Sequence, residues 1–346
     1  MWRLSLVIPV YNEVEALPAL FGVLRPILDG LREDYEIICV DDGSQDGTAD
    51  FLSDVAAMDP RVKILTFSRN FGHQAAITAG LDFASGDAVV VMDADLQDPP
   101  ELIPEMIALY RQGYDVISAQ RISRTGEGIF KLGTAKLFYW MIRKTVESRV
   151  VSDVGDFRLF SRAAVVALRR FRERHRFMRG LVAWLGLREI IVPFHRARRI
   201  AGKSKYPTVK MIGFAWTAIS SFSTLPLRLV LGGGMMIFTG GIMYALYVVY
   251  ATLVLKTTVP GWSSLVCLQV LLSGSTLAAI GLVGDYVARI FEESKGRPLY
   301  VVTQTSNIPA NTPSPHGALV IPPRDGGLAS AHTGPTHGRT GLDVEV

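Results

Sequence analysis

Asp93-Ala94-Asp95 closes the apolar run Ala88 to Met92 and is followed by Leu96-Gln97-Asp98-Pro99-Pro100. Side chains alternate along an extended backbone, so Asp93 and Asp95 can point the same way, about 7 Å apart along the chain. Two carboxylates so placed offer hard oxygen ligands, which suit Mg²⁺ or Mn²⁺ shared with substrate phosphates. A cation held there would offset the charge of a departing diphosphate. Alone, an Asp-x-Asp pair reads more readily as a solvated turn; here it has company.

Val7-Ile8-Pro9-Val10-Tyr11-Asn12-Glu13 and Val40-Asp41-Asp42-Gly43-Ser44 each end a predicted strand, and Gln45-Asp46-Gly47-Thr48 enters a helix. Acids cannot cradle phosphate directly, but they accept hydrogen bonds from a base N–H or from ribose hydroxyls. Taken singly, Asp46 or Thr48 is a helix cap and Gly43 a turn residue. Asp46 is expected to be structural.

The elements that must position these groups follow from periodicity. Leu4 to Val10, Glu36 to Asp41, Val62 to Ser68, Ala88 to Asp93 and Tyr114 to Ala119 are Val/Ile-rich runs bounded by turn residues and read as strands. Gly47 to Met58, His73 to Ala84 and Pro100 to Gln112 read as helices between them. Alternation of this kind predicts an α/β fold with a mostly parallel sheet covered on both faces. Such sheets bind ligands at the carboxyl ends of their strands, where Tyr11, Asp41, Asp42, Asp93 and Asp95 fall.

These segments in this order resemble the family 2 glycosyltransferases, which have the GT-A, Rossmann-like fold. The resemblance tightens with Arg69-Asn70-Phe71-Gly72-His73-Gln74, Gly155-Asp156-Phe157-Arg158-Leu159 and Gly202-Lys203-Ser204-Lys205-Tyr206. With two C-terminal apolar runs, the set is similar to the polyprenyl-phosphate glycosyltransferases, the group of dolichyl-phosphate mannose synthase and the bactoprenol glucosyltransferases. It covers Leu4 to about Val301. It implies transfer of one sugar, with inversion, from a nucleotide-sugar to a polyprenyl phosphate such as undecaprenyl phosphate. UDP-glucose is the first donor expected, with GDP-mannose, UDP-galactose, UDP-GlcNAc or a modified arabinose donor behind it. A non-catalytic scaffold that kept the fold predicts gaps among the carboxylates, yet Asp41, Asp93, Asp95 and Asp156 are all present.

Carried over residue by residue, the resemblance implies that Pro9, Tyr11, Glu13 and Asp41 meet the nucleotide. Asp93, Asp95 and Gln97 would meet Mg²⁺ or Mn²⁺ or the donor diphosphate, and Lys205 phosphate oxygens. Arg121 and Arg124, with Lys131 behind them, would meet the lipid phosphate; solvated loop charges are the lesser reading of Arg124 and Lys131. Asp156 falls where the family places an acid near the sugar. A phosphate monoester has a second pKa near 6 and is already a nucleophile at neutral pH. Asp156 is therefore expected to position the sugar or an arginine, with proton abstraction the lesser reading. No Gln-x-x-Arg-Trp segment of the processive synthases occurs; Arg176-Phe177-Met178-Arg179-Gly180 stands in the comparable region. A single transfer follows.

Hydrophobic residues make up 49% of the 346 and charged ones 20%, a balance that points to membrane segments. Leu229 to Leu255 and Thr257 to Gly284 are runs of 27 and 28 residues without Asp, Glu, Lys or Arg, each longer than the roughly 20 needed to cross a bilayer. The expected organisation is a catalytic domain over 1–205, a juxtamembrane segment over 206–227, and spans at about 229–255 and 263–285 within 228–290. A tail over 291–346 follows, disordered from about 306. Arg228 before the first span and Arg289, Lys295 and Arg297 after the second, against Lys256 alone between them, place the catalytic domain on the cytoplasmic side of the cell membrane. Leu4 to Val10 is too short and polar-flanked for a signal peptide.

Between Arg162 and Lys210, 14 Lys or Arg face two acids, a local balance of +12 in a chain of +4. Such a block fits an anionic-lipid-facing surface rather than nucleic acid, for which no recognisable module is present. Lys131 to Ser148 reads either as an interfacial helix or as one packed on the core, and Thr208 to Ser223 as a second interfacial helix. Gly232, Gly233, Gly234, Gly240 and Gly241, with Gly274, Ala278 and Gly281, supply small surfaces for oligomerisation or for packing the two spans together. Cys39 and Cys267 suggest neither a disulfide nor a metal site.

Overall fold

The strands expected in the first 120 residues all form in the computed structural model, which describes residues 2–121, 154–174, 176–194, 225–254, 261–309 and 318–320. They are β1 (Arg3–Val10), β2 (Asp34–Asp41), β3 (Val62–Phe67), β4 (Ala88–Val91) and β5 (Val116–Arg121). Helices α1 (Leu17–Gly30), α2 (Thr48–Met58), α3 (His73–Phe83) and α4 (Ile103–Arg111) connect them, the last entered through a 3₁₀ turn at Pro100–Leu102. β4 stops two residues short of Asp93 because the chain bends there, and Leu96 takes the left-handed φ of 57°. A branched side chain pays for that conformation, a strain typical of functional turns.

β4, β1, β2 and β3 lie side by side and run parallel. Helices on both faces make both faces apolar, so β1 is buried from Leu4 to Val10. Leu4, Leu6, Ile8 and Val10 join one core layer with Leu20 and Leu24 of α1. Val7 points into the other, with Ala76 and Ile77 of α3. α3 crosses so close to β1 that a Cβ at Gly80 would stand 2.1 Å from Val7 Cγ1.

One strand reverses the pattern and matters most for the site. β6 (Val154–Ser161) inserts between β4 and β5, antiparallel to both. Val91 pairs with Arg158, so the start of β6 lies beside the carboxyl end of β4. Continuing that register sets Asp156 opposite Asp93. Beyond it, α5 (Arg162–Leu168) and α6 (Met178–Leu185) lead to β7 (Glu189–Phe194), parallel to β5.

Two long helices follow, α7 (Leu225–Leu253) and α8 (Trp262–Ser294), over the expected spans. Among the described residues, no helix is long and apolar enough to cross a membrane; several side chains of both helices lie outside that described set. α8 continues past 285 into a charged end in which Arg289 pairs with Asp285 at 3.1 Å.

The stretch expected to be a tail from 291 onward is not wholly one. β8 (Tyr300–Ser306) returns to pair antiparallel with β3, and β9 (Ala318–Val320) pairs with β8 inside the region expected to be disordered. The reason is packing. Tyr300 and Val302 are fully buried, and Tyr300 stacks on Phe67 at 5.1 Å between ring centroids. β8 also covers what would otherwise be an open sheet edge.

Within the basic block, cations from Arg162 to Arg179 meet partners inside the fold, whereas Arg196 to Lys210 lie outside the described residues. Arg162 and Arg169 donate to the carbonyls of Leu81 and Ala84 at the end of α3, and Arg176 donates to those of Leu168 and Phe171. Arg172, Arg174 and Arg179 pair with acids distant in sequence. Charge counted along the chain missed partners that only folding supplies.

Candidate active site

The carboxyl ends of β1, β2 and β4, neighbours in the middle of the sheet, carry the expected groups. After β1, Asn12 takes φ 53° and its side chain accepts Gln45 N–H at 2.8 Å, while its own N–H donates to Ser44 Oγ at 2.9 Å. Those bonds lock the loop after β1 to the loop after β2. Tyr11 is left exposed and Pro9 buried. Glu13 joins the same lock through its N–H to Thr48 Oγ1 at 3.1 Å. Asp46 accepts Thr48 N–H and Oγ1–H, the structural part expected of it.

Asp41 and its neighbour divide the work. Asp41 is buried, its Oδ1 accepts Ser44 N–H at 3.0 Å, and its Oδ2 has no hydrogen-bond partner among the described residues. An orphaned buried acceptor suits a ligand hydroxyl or N–H. Asp42 is spent on the fold: its carboxylate accepts Phe71 N–H at 2.6 Å and Gly72 N–H at 2.9 Å, fixing the entry of α3.

The turn after β4 gathers the acids. Asp95 Oδ1 accepts Gln97 N–H at 3.2 Å, and buried Asp98 accepts Asp93 N–H at 3.2 Å. Gln97 is buried with its Oε1 unpartnered by hydrogen bonds. Asp98 Oδ1 lies 3.6 Å from Arg121 Nη2. Burial is the main reason the Asp98 carboxyl is pushed up to about 7, with the charge of Asp93 adding to it. Arg121 lies along Gly155, where a Cβ would come within 3.4 Å of its Nη2. Asp98 thus links the acidic turn to the arginine expected at the acceptor phosphate.

His73, the first residue of α3, stands between two of these carboxylates. Its Nε2 is 3.5 Å from Asp93 Oδ1 and 3.4 Å from Asp156 Oδ2. Burial pulls the imidazole down, but the bond to Asp156 and the charges of Asp93 and Asp156 outweigh it and raise its pKa to about 9. Asp156 also faces Arg179 Nε at 3.6 Å and Gln74 Nε2 at 3.3 Å. Burial would raise the Asp156 carboxyl, yet the His73 bond and the Arg179 charge hold it well below the usual carboxylate range. A carboxylate that is so firmly ionised and doubly paired is a poor proton acceptor and a good anchor.

The structure therefore brings together Asp93, Asp95, Gln97, Arg121 and Asp156, and places Tyr11, Glu13 and Asp41 on neighbouring strand ends. Arg124, Lys131 and Lys205 lie outside the described residues. The sequence reading missed His73, Gln74, Asp98 and Arg179 as site members. All four stand inside segments that the sequence makes conspicuous, but only the reversed β6 and the packing of α6 reveal what they face.

Among the described residues, no three His, Cys, Asp or Glu side chains converge as a ready cation cage. The donor set nonetheless fits a hard divalent cation that takes its remaining ligands from phosphate and water: two carboxylates on one turn, beside an unpartnered amide oxygen at Gln97.

Residues 5–168 match the Glycosyl transferase family 2 domain. An uncharacterized glycosyltransferase of Bacillus subtilis, YkcC, is 44% identical over 304 residues, 88% of this chain and 94% of its own length. The chain belongs to glycosyltransferase family 2. The bactoprenol glucosyl transferase of Shigella phage SfV is 40% identical over 300 residues, covering 87% of this chain and 98% of its own. Among solved structures, glucosyl-3-phosphoglycerate synthase from Mycobacterium tuberculosis aligns with a TM-score of 0.46 at 18% identity, over 62% of this chain and 75% of the other. This chain is a glycosyltransferase, and its acidic turn and the opposing Asp156 stand at the carboxyl end of β4.

Proposed function

We propose that this glycosyltransferase moves a single hexose, glucose from UDP-glucose in the first instance, onto a polyprenyl phosphate at the cytoplasmic face of a membrane, with inversion. The observation that carries the reading is the meeting of Asp93 and Asp156 around His73, with Arg121 held beside them through Asp98. Likeness to a bactoprenol glucosyl transferase over nearly the full length supports the lipid acceptor.

In this reading Tyr11, Glu13 and Asp41 receive the nucleotide, with Lys205 reaching phosphate oxygens. Asp93, Asp95 and Gln97 would hold Mg²⁺ or Mn²⁺, which would offset the negative charge of the diphosphate as it leaves. Arg121, with Arg124 and Lys131 after it in the sequence, holds the acceptor phosphate. A phosphate oxygen attacks the anomeric carbon, and the bond from that carbon to the diphosphate breaks. No proton need move, because the phosphate is already ionised. Asp156 serves by orienting the sugar and Arg179, and His73 by tying Asp156 to the acidic turn. α7 and α8 would anchor the domain so that the site opens at headgroup level, where the acceptor phosphate lies.

The test incubates membranes containing the protein with a panel of radiolabelled nucleotide-sugars, Mg²⁺ or Mn²⁺, and undecaprenyl phosphate. Label extracted into the lipid fraction from one donor supports the reading and names the sugar. No lipid label from any donor overturns it.

A further inference from the structure

The chain between α5 and α6 is described at residues 169–174 and 176–177, and it touches more of the molecule than a connector needs to. At its start Arg172 forks onto Asp82, with Nη1 to Oδ2 at 2.7 Å and Nη2 to Oδ1 at 2.9 Å. Asp82 belongs to the last turn of α3, and its side chain is only 1% exposed. Tyr300, the first residue of β8, is fully buried and donates its hydroxyl to Asp82 Oδ2 at 2.8 Å. Midway, Arg174 N–H donates to Glu293 Oε1 at 2.7 Å, and Arg174 Nε lies 3.0 Å from Glu292 Oε2. Both glutamates sit in the final turn of α8.

The far end of the segment reaches the site. Met178 N–H donates to Gln74 Oε1 at 3.2 Å, Gln74 Nε2 donates to Asp156, and Arg179 pairs with Asp156. α3 therefore holds the segment at both of its own ends, through Gln74 in its first turn and Asp82 in its last. Between those holds α8 is fastened to the segment through Arg174, while Tyr300 of β8 joins the hold at Asp82.

We propose that this segment is a tie that sets the position of Arg179 and Asp156 according to where α8 ends, with Asp82, Arg172, Tyr300 and the pairing of Arg174 with Glu292 and Glu293 as positioning residues. Buried ionic groups contribute little net stability over apolar ones of the same shape, whereas they demand one geometry. Asp82 accepts two bonds from Arg172 and one from Tyr300, so sliding the segment leaves a buried carboxylate unpaired, a costly state. The exposed Arg174–Glu292 pair adds little stability, so its value lies in registering α8 against the segment. None of these residues meets the reacting atoms. Their effect on turnover rests on the proposed sugar transfer; the mechanical tie does not.

The test uses the full chain in phospholipid vesicles, with UDP-glucose, Mg²⁺ or Mn²⁺ and undecaprenyl phosphate. It compares the parent with Tyr300→Phe and with the double variant Glu292→Gln/Glu293→Gln. Hydrogen exchange at the Met178 amide is read in the same preparations. The tie predicts faster exchange at Met178 in both variants, with kcat lowered about tenfold and the donor KM within twofold of the parent. Unchanged Met178 exchange overturns the proposal whatever the activity, and faster exchange with parental kcat overturns it too. Should Tyr300→Phe fail to fold, the glutamate variant on the helix surface carries the comparison. If the parent itself transfers no sugar, the proposed function falls and Met178 exchange alone decides the tie.

Discussion

His73 Nε2 stands 3.4 Å from Asp156 Oδ2, joining the first turn of α3 to the start of the reversed strand β6. The same nitrogen faces Asp93, so one imidazole separates two carboxylates that would otherwise repel. Removing it should disturb the transition state more than substrate binding. His73→Ala is expected to lower kcat by about 100-fold, on the scale of losing one preorganised donor, while KM for the donor moves little. His73→Gln, which keeps a donor, should recover part of the loss. Steady-state kinetics with both variants checks this.

Asp156 is predicted to act through its ionised form and its partners Arg179 and His73, not by taking a proton. Asp156→Asn should reduce turnover by about 100-fold, the lower range for loss of one preorganised group. Turnover within about threefold of the parent would exclude both positioning and proton abstraction.

Because the acceptor supplies an ionised phosphate, the rate should follow that group at low pH. The dianion of a phosphate monoester takes up one proton near pH 6, so kcat/KM for the acceptor is expected to fall about tenfold per unit below it. The Asp156→Asn variant should keep that limb. A limb that vanished with Asp156 would make this residue the base instead.

How much of this was legible in advance differs between the two halves of the sheet. β1 to β5 announced themselves because a doubly covered parallel strand is a continuous Val/Ile run, and turn residues bracketed each one. β6 was quoted only as the motif around Asp156, and nothing in Gly155-Asp156-Phe157 tells that the strand enters backwards. That reversal alone brings Asp156 opposite Asp93. β8 escaped notice because its two buried residues, Tyr300 and Val302, sit in a polar stretch that reads as the start of a tail. In the first part of the arginine-rich block, the partners were invisible for a related reason: Asp82, Glu292 and Asp156 reach Arg172, Arg174 and Arg179 from other elements.

Acid stability should report a second buried pair, away from the site. Glu36 is buried and accepts from Lys63 Nζ at 2.5 Å, Ser5 Oγ at 2.5 Å and Ser85 N–H at 2.7 Å. Burial would raise its pKa, but the bonds from Lys63 and Ser5 prevail and lower it from 4.5. A depressed carboxylate stabilises the fold above its unfolded pKa, and that stability is lost as pH falls through the lower folded value. Thermal unfolding should therefore show the parent losing stability below about pH 4.5. Glu36→Gln should be less stable at neutral pH by about 2 kcal/mol and flatter across the acid window.

Gly80 marks the closest approach of α3 to β1, and α3 carries His73. A Cβ there meets Val7 Cγ1, so Gly80→Ala should cost about 2 kcal/mol by overpacking. A lowered Tm with reduced turnover is expected; an unchanged Tm would mean that α3 does not pack so closely.

The central claim is one sugar, inverted, on a lipid phosphate, and the lipid product tests it most directly. Purified protein in vesicles with undecaprenyl phosphate, UDP-glucose and Mg²⁺ or Mn²⁺ should yield a lipid whose mass has increased by one hexose, β-linked by proton NMR, and Asp93→Asn with Asp95→Asn should abolish it. A polymeric glycan, an α-linked sugar, or undiminished product from the doubly substituted protein would contradict the account.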